Sequence, residues 1–325
     1  MRGIVLGSFA SFFFAVTFIL NRAMELSGGS WIWSAVLRYL FMLPPLFLIV
    51  AWRGNLRALL TEMRKEPWVW LGWSSVGFGL FYAPLCFAAA YGPAWIVAST
   101  WQLTIIAGSL LAPLFYVGVA TPQGIRKVRG RIPRRGVAVS LVILVGVVII
   151  QGQNQRISVQ ELVLGMLPVL LAAFAYPLGN RKMMVICQGS LDTYQRVLGM
   201  TLASLPFWLV LAGLGYAVTG APSGMQMAQS LVVALSSGVI ATILFFTATD
   251  LARGDLHRLA AVEATQAGEV VFALLGEVVI LHGSFPGIWS LLGIALVVLG
   301  MVLHSFLAKD SGPAIRNIDR DIGIG

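Results

Sequence analysis

Ten apolar runs, most of them about 20 residues long, alternate with short polar or basic segments along the chain. They lie approximately at Gly3 to Leu20, Trp31 to Trp52, Trp68 to Ala90, Trp95 to Val119, Gly136 to Ile150, Leu162 to Gly179, Tyr194 to Tyr216, Leu231 to Thr249, Leu259 to Leu281 and Phe285 to Leu307. Each predicts a helix able to cross a hydrocarbon layer roughly 30 Å thick. The expected fold is therefore an all-α polytopic membrane protein with ten transmembrane helices. Prolines inside the runs (Pro44, Pro45, Pro84, Pro113, Pro168, Pro177, Pro206) predict kinks, because neighbouring helices can satisfy the backbone groups that proline frees.

Composition excludes the soluble alternative. With 58% hydrophobic and 11% charged residues and a mean hydropathy of +0.87, a water-soluble core would leave large apolar patches exposed. The net charge of +9 has a simpler reading than nucleic-acid binding, since no helix-turn-helix, zinc-finger or aromatic RNA-binding pattern accompanies it. Nearly every basic residue falls in alternate loops: Arg53, Arg57, Arg64 and Lys65; Arg126 to Arg135; Arg181 and Lys182; Arg253 and Arg258; and the tail. The opposite loops hold only Arg22 and Arg156, so the positive-inside rule places both termini in the cytoplasm of a bacterial inner membrane. The run after Met1-Arg2 lacks a small-x-small cleavage site and is read as a helix, not a leader. Residues 308–325 are polar and read as a loose cytoplasmic tail.

The same unit occurs twice, at 3–151 and 161–307. Gly7-Ser8-Phe9-Ala10 leads to Asn21-Arg22, and Gly165-Met166-Leu167-Pro168 leads to Asn180-Arg181. Arg38 with Leu43-Pro44 answers Arg196 with Leu205-Pro206, Ser74-Ser75 answers Ser236-Ser237, and Gln102 answers Gln266. Five spans is an odd number, so the second copy enters the membrane inverted, a design that gives alternating access around a midplane site. On these residues, together with Leu275-Gly276-Glu277 and the run Leu292 to Gly300, the chain resembles the drug/metabolite transporter superfamily, and within it the ten-helix multidrug resistance efflux transporters. The resemblance implies export of drug-like compounds or metabolites. In two places the repeats differ: Ala112-Pro113 stands where the second has Gly276-Glu277, and a long basic segment, Thr121 to Arg135, follows the fourth run.

Intramembrane ionisable groups cost roughly 2.5–3.5 kcal/mol on insertion scales, so each is a candidate for function. The ninth run carries Glu263, Gln266, Glu269 and Glu277, which at about 100° per residue fall within an arc of about 120°. Glu269, near mid-span, could carry a proton, pair with a cationic substrate, or serve packing alone. Glu263 could equally be a solvated acid at the helix start, and Glu277 is expected to be structural. Arg38 could snorkel, pair with a buried carboxylate, or hold a substrate carboxylate, whereas Arg196 is expected to anchor at the interface. Trp101, Gln102, Ser99 and Thr104 of the fourth run, with Asn21 and Asn180 at expected helix ends, could add stacking and hydrogen bonds.

These features predict a secondary transporter of small molecules, with protons as a possible coupling ion and lipid as its solvent. A facilitator for amino acids or other metabolites is the alternative, and a non-transporting sensor or scaffold the alternative from another class. A membrane enzyme is not expected. His257, His282 and His304 lack metal-site spacing, Cys86 and Cys187 are too far apart in sequence for a metal or disulfide framework, and no cofactor motif is present. One five-plus-five unit is compatible with a monomer or a homodimer.

Overall fold

The computed structural model describes residues 2–121, 124–130, 132, 134–152, 159–187, 190–251, 262 and 264–307. The helices are α1 (Arg2–Leu26), α2 (Trp31–Trp52), α3 (Leu56–Lys65), α4 (Pro67–Ala88) and α5 (Ala94–Leu110), then α6 (Arg134–Gly152), α7 (Val159–Cys187), α8 (Thr193–Ala203) and α9 (Leu205–Thr219), and finally α10 (Gly224–Phe245), α11 (Gly268–Val279) and α12 (Ile288–Leu307). Five of these are long and apolar enough to cross a membrane, and the bent pair α8–α9, which turns by 43°, makes a sixth. Shorter apolar helices occupy three further predicted spans, at Ala94–Leu110, Gly136–Gly152 and Ile288–His304. Outward-facing side chains such as Leu48, Val210, Val279 and Ile288 are exposed and apolar, the surface that lipid requires.

The all-α expectation needs one correction. The fourth span ends early, near Pro113, and the chain then forms an antiparallel hairpin of β1 (Tyr116–Thr121) and β2 (Gly124–Arg129), with Tyr116 opposite Arg129. Val117, Val119, Ile125 and Val128 are β-branched residues that suit a strand, and Pro113 cannot continue the ladder of a helix. Another departure lies at the first and sixth spans. Asn21-Arg22 and Asn180-Arg181 sit inside α1 and α7, which run on to Leu26 and Cys187. The arginines bind backbone carbonyls there, Arg22 donating to Ala89 O at 2.9 Å and Arg181 to Gly108 O at 2.6 Å.

Local chemistry fixes the ends. Ser30 and Ser223 accept backbone N–H groups at the starts of α2 and α10, and Asp192 with Gln195 forms a capping box on α8. After α9 the chain reverses at Gly220, whose φ of 74° excludes most side chains. Two helices contain π-turns, Ser75–Gly79 in α4 and Ala234–Ala241 in α10, each spanning or abutting a serine pair. Two segments are irregular at a glutamine. In α5 a tightened turn at Gln102-Leu103 uses bonds such as Leu103 N to Thr100 O, and a 3₁₀ turn at Thr265–Ala267 precedes α11. Apolar residues such as Tyr39, Tyr82, Trp208, Ile143 and Val297 fill the core where the helices meet.

Candidate functional site

Where these irregular segments converge, the bundle forms a half-open cavity of about 430 Å³, within the range of small-molecule sites. A π-turn shifts the helix face by one residue and frees backbone groups, and the one in α4 stands beside the aromatic wall. Phe78 and Phe81 reach the cavity from α4, Trp101 and Gln102 from α5, and Tyr176 and Asn180 from α7. Phe81, Trp101 and Tyr176 form a mutually touching trio, with ring centroids 4.8–5.5 Å apart. Aromatic edges and faces at such spacings make a stiff apolar surface.

Charge enters this apolar setting at three places. Glu269, on the first turn of α11, is 6% exposed and lines the cavity beside Gln102, whose Nε2 donates to the Ala98 carbonyl at 3.1 Å. Arg38 of α2 is 7% exposed and lies 4.0 Å from the centroid of the Tyr82 ring, and its Nε and Nη1 have no hydrogen-bond acceptor. Arg196 of α8 is half-buried and lines the same cavity. The ion pairs found among the described residues, Arg53–Asp192 and Lys65–Glu62, lie elsewhere, so Glu269 and Arg38 face the cavity without pairing to each other.

Six of the eight predicted binding residues thus meet on one wall or another: Glu269, Gln266, Arg38, Trp101, Gln102 and Asn180. Glu263 lies outside the described residues. Asn21 stands behind the wall, where it accepts from Tyr82 Oη at 3.2 Å and donates to Cys86 Sγ at 3.4 Å. It acts on the cavity through Tyr82, which carries the Arg38 guanidinium on its face. Of the polar arc expected along the ninth span, Gln266 and Glu269 line the cavity together and Glu277 does not, and a 3₁₀ turn at Thr265–Ala267 interrupts the helix. Glu277 leaves the cavity and accepts the Ala94 backbone N–H at 2.8 Å, capping α5.

Other wall residues were not signalled. Arg196 is expected from sequence to be an interface anchor, Tyr39 and Tyr176 are not among the expected site residues, and His304 enters the sequence reading only for lacking metal spacing. His304 lines the cavity with Nδ1 2.8 Å from Ser140 Oγ and 3.0 Å from Gly136 O. A clue to Tyr176 existed in its position one turn before Asn180, whose Nδ2 donates to the Tyr176 carbonyl at 2.9 Å. Among the described residues no group of three His, Cys, Asp or Glu side chains could hold a metal ion.

Fold and cavity together define an integral membrane protein whose helices surround a small-molecule-sized chamber. The chain belongs to the family described as "Putative multidrug resistance efflux transporter", whose model matches residues 1–310. This is a transporter family and not an enzymatic one. The chain is 57% identical over 314 residues to Uncharacterized protein YjlA of Bacillus subtilis (strain 168), covering 96% of this chain and 97% of that one. It is also 51% identical over 269 residues to an uncharacterized 42.1 kDa protein of Shouchella clausii, covering 83% of this chain and 70% of the other. One solved crystal structure aligns with a TM-score of 0.61 at 17% identity, over 95% of this chain and 98% of that one, a likeness in fold.

Proposed function

We propose that the protein is a secondary transporter that exports small organic molecules across the bacterial cytoplasmic membrane by alternating access. In this reading ten crossings form two inverted five-helix units, residues 3–151 and 161–307, with both termini cytoplasmic. The observation that carries it is the cavity itself, a half-open chamber walled by both halves of the chain in which Glu269, Arg38 and Arg196 have no ion-pair partner among the described residues. Such groups are costly in a membrane interior and persist where they serve a pathway. Support for the repeat comes from its irregularities. π-turns fall at or beside Ser74-Ser75 and Ser236-Ser237, and helix breaks fall at Gln102 and Gln266, the positions the two copies share. Broken helices around a central site are what a rocking repeat needs, since they let the halves move without losing backbone hydrogen bonds to lipid.

Glu269 is the coupling group in this scheme. Its carboxyl touches the chamber, has an amide and not a cation beside it, and can therefore take a proton in one conformation and release it in another. The test is purified protein in liposomes loaded with a pH dye, challenged with aromatic acids and aromatic amines one at a time. A substrate-dependent pH change in the wild type that vanishes in Glu269→Gln is expected. A signal of equal size in the variant would remove Glu269 from the coupling role, and silence towards every compound by folded, inserted protein would remove proton coupling altogether.

A further inference from the structure

The polar atoms on the cavity wall are unequally satisfied. Among the described residues, two that line the chamber carry buried side-chain atoms without a hydrogen-bond partner, Arg38 at Nε and Nη1 and Gln266 at Nε2. All three are donors. By contrast, the Gln102 and Asn180 amides each donate to a backbone carbonyl, Ala98 O and Tyr176 O. An unpaired buried donor costs about 1–3 kcal/mol, and more when it is charged, and the Tyr82 ring face below Arg38 offsets only part of that. What Arg38 and Gln266 lack is an acceptor within reach of these donors. A second cation, Arg196, faces the same space.

Resting on the transporter reading above, we propose that the cavity is built for organic anions, a carboxylate held by Arg38 and Gln266 on an aromatic body that packs against Phe81, Trp101 and Tyr176. The guanidinium fork matches a carboxylate in shape and charge. The same fixed cation opposes a lipophilic cation entering beside it, so the site selects by sign as well as by size. A substrate anion also relieves the burial of Arg38, so that binding energy is gained where the empty protein is least satisfied.

Two compounds of nearly equal shape and opposite charge separate this from a cation site at Glu269. Hydrocinnamate and phenylpropylammonium would each be titrated against the full-length protein in detergent, with Tm as the readout. Hydrocinnamate is expected to raise the wild-type Tm in a saturable manner and phenylpropylammonium to leave it unchanged. Arg38→Gln removes an unsatisfied charge, so its ligand-free Tm should equal or exceed the wild type's while the hydrocinnamate shift disappears. A structural arginine would instead lower the ligand-free Tm. Should that variant fail to fold, Gln266→Leu decides: a weaker hydrocinnamate response supports the site, and an undiminished one overturns it. Stabilisation by the amine in place of the acid, no response to the acid, or a full acid response in Arg38→Gln would each overturn the proposal. Because binding in detergent needs no turnover, saturable binding by protein that moves no labelled hydrocinnamate across the liposome membrane would sink the transporter reading alone.

Discussion

Glu277 and Glu269 lie on the same helix and meet the cost of burial in different ways. The Glu277 carboxylate accepts the N–H of Ala94, one of the donors that any helix start leaves unpaired, and negative charge at that end also suits the helix dipole. Its 5% exposure is thus explained without a ligand. Replacing Glu277 with alanine strands the Ala94 N–H in an apolar setting and should cost about 1–3 kcal/mol. Thermal unfolding of the purified variant is expected to show a lowered Tm, while hydrocinnamate still stabilises the protein that remains folded. A variant that melts like wild type would show that water or another acceptor replaces the carboxylate. Sequence distinguished these two glutamates in kind but not in geometry. A charge in an apolar run stands out, so Glu269 and Arg38 were visible at once. Tyr39 and Tyr176 were not, because an aromatic residue in a membrane helix looks the same whether it packs or lines a chamber. Arg196 was missed because its distance from the expected helix end favoured snorkelling, and the side chain's direction depends on how α8 meets its neighbours.

At the scale of elements, the closest approach is between α4 and α7. A Cβ at Gly179 would overlap the backbone of Gly77 and come within 2.9 Å of the Trp73 carbonyl oxygen. Gly179 leaves no room for a Cβ because backbone meets backbone at the crossing, a packing mode that membrane helices use in place of a hydrophobic driving force, while a Cβ at Gly77 would stand 3.2 Å from Gly179 Cα. Gly179→Ala must push the helices apart and is expected to destabilise the protein by about 1–3 kcal/mol or to prevent a monodisperse preparation. Gly72 lies on the same helix as Gly77 with open space around it, so Gly72→Ala should behave as wild type in the same size-exclusion and melting assays. Equal behaviour of the two variants would mean the crossing is looser than described. Such crossings were illegible in the sequence, where glycine is common throughout. The number and order of long apolar segments were legible because hydropathy reports them directly. Their ends were less so. Asn21-Arg22 and Asn180-Arg181 looked like helix exits, but each arginine finds carbonyls of a neighbouring helix and lets its own helix continue. The hairpin after α5 was hidden by the apolar residues of β1, which extend the hydropathy signal beyond the true helix end.

For the whole molecule, α2 connects the two halves of the chain at both of its ends. At its start, Gln226 donates to Ser30 O at 2.6 Å and to Ser34 Oγ at 3.0 Å, and Trp33 donates to Gly220 O at 2.8 Å. Beyond its other end, Asp192 accepts from Arg53 at 3.3 Å and Asn55 at 3.4 Å, while Gln195 donates to the Asn55 carbonyl at 2.9 Å. A helix of 22 residues spans a membrane, so these two clusters sit near opposite faces. Alternating access requires the halves to separate at one face while they stay joined at the other, and hydrogen-bonded polar clusters suit that task better than interlocked apolar side chains, because water can replace their bonds when they open. A disulfide between Asn55→Cys and Asp192→Cys, with Cys86 and Cys187 replaced by serine, would hold one end shut. Oxidised protein in liposomes should fall to the transport level of protein-free vesicles and recover on reduction, while its Tm response to hydrocinnamate persists in both states. Unchanged transport under oxidation, with the crosslink verified, would mean that this end stays closed throughout the cycle. The moving interface would then have to lie elsewhere, and the polar cluster at Asn55 and Asp192 would be a fixed seam between the halves.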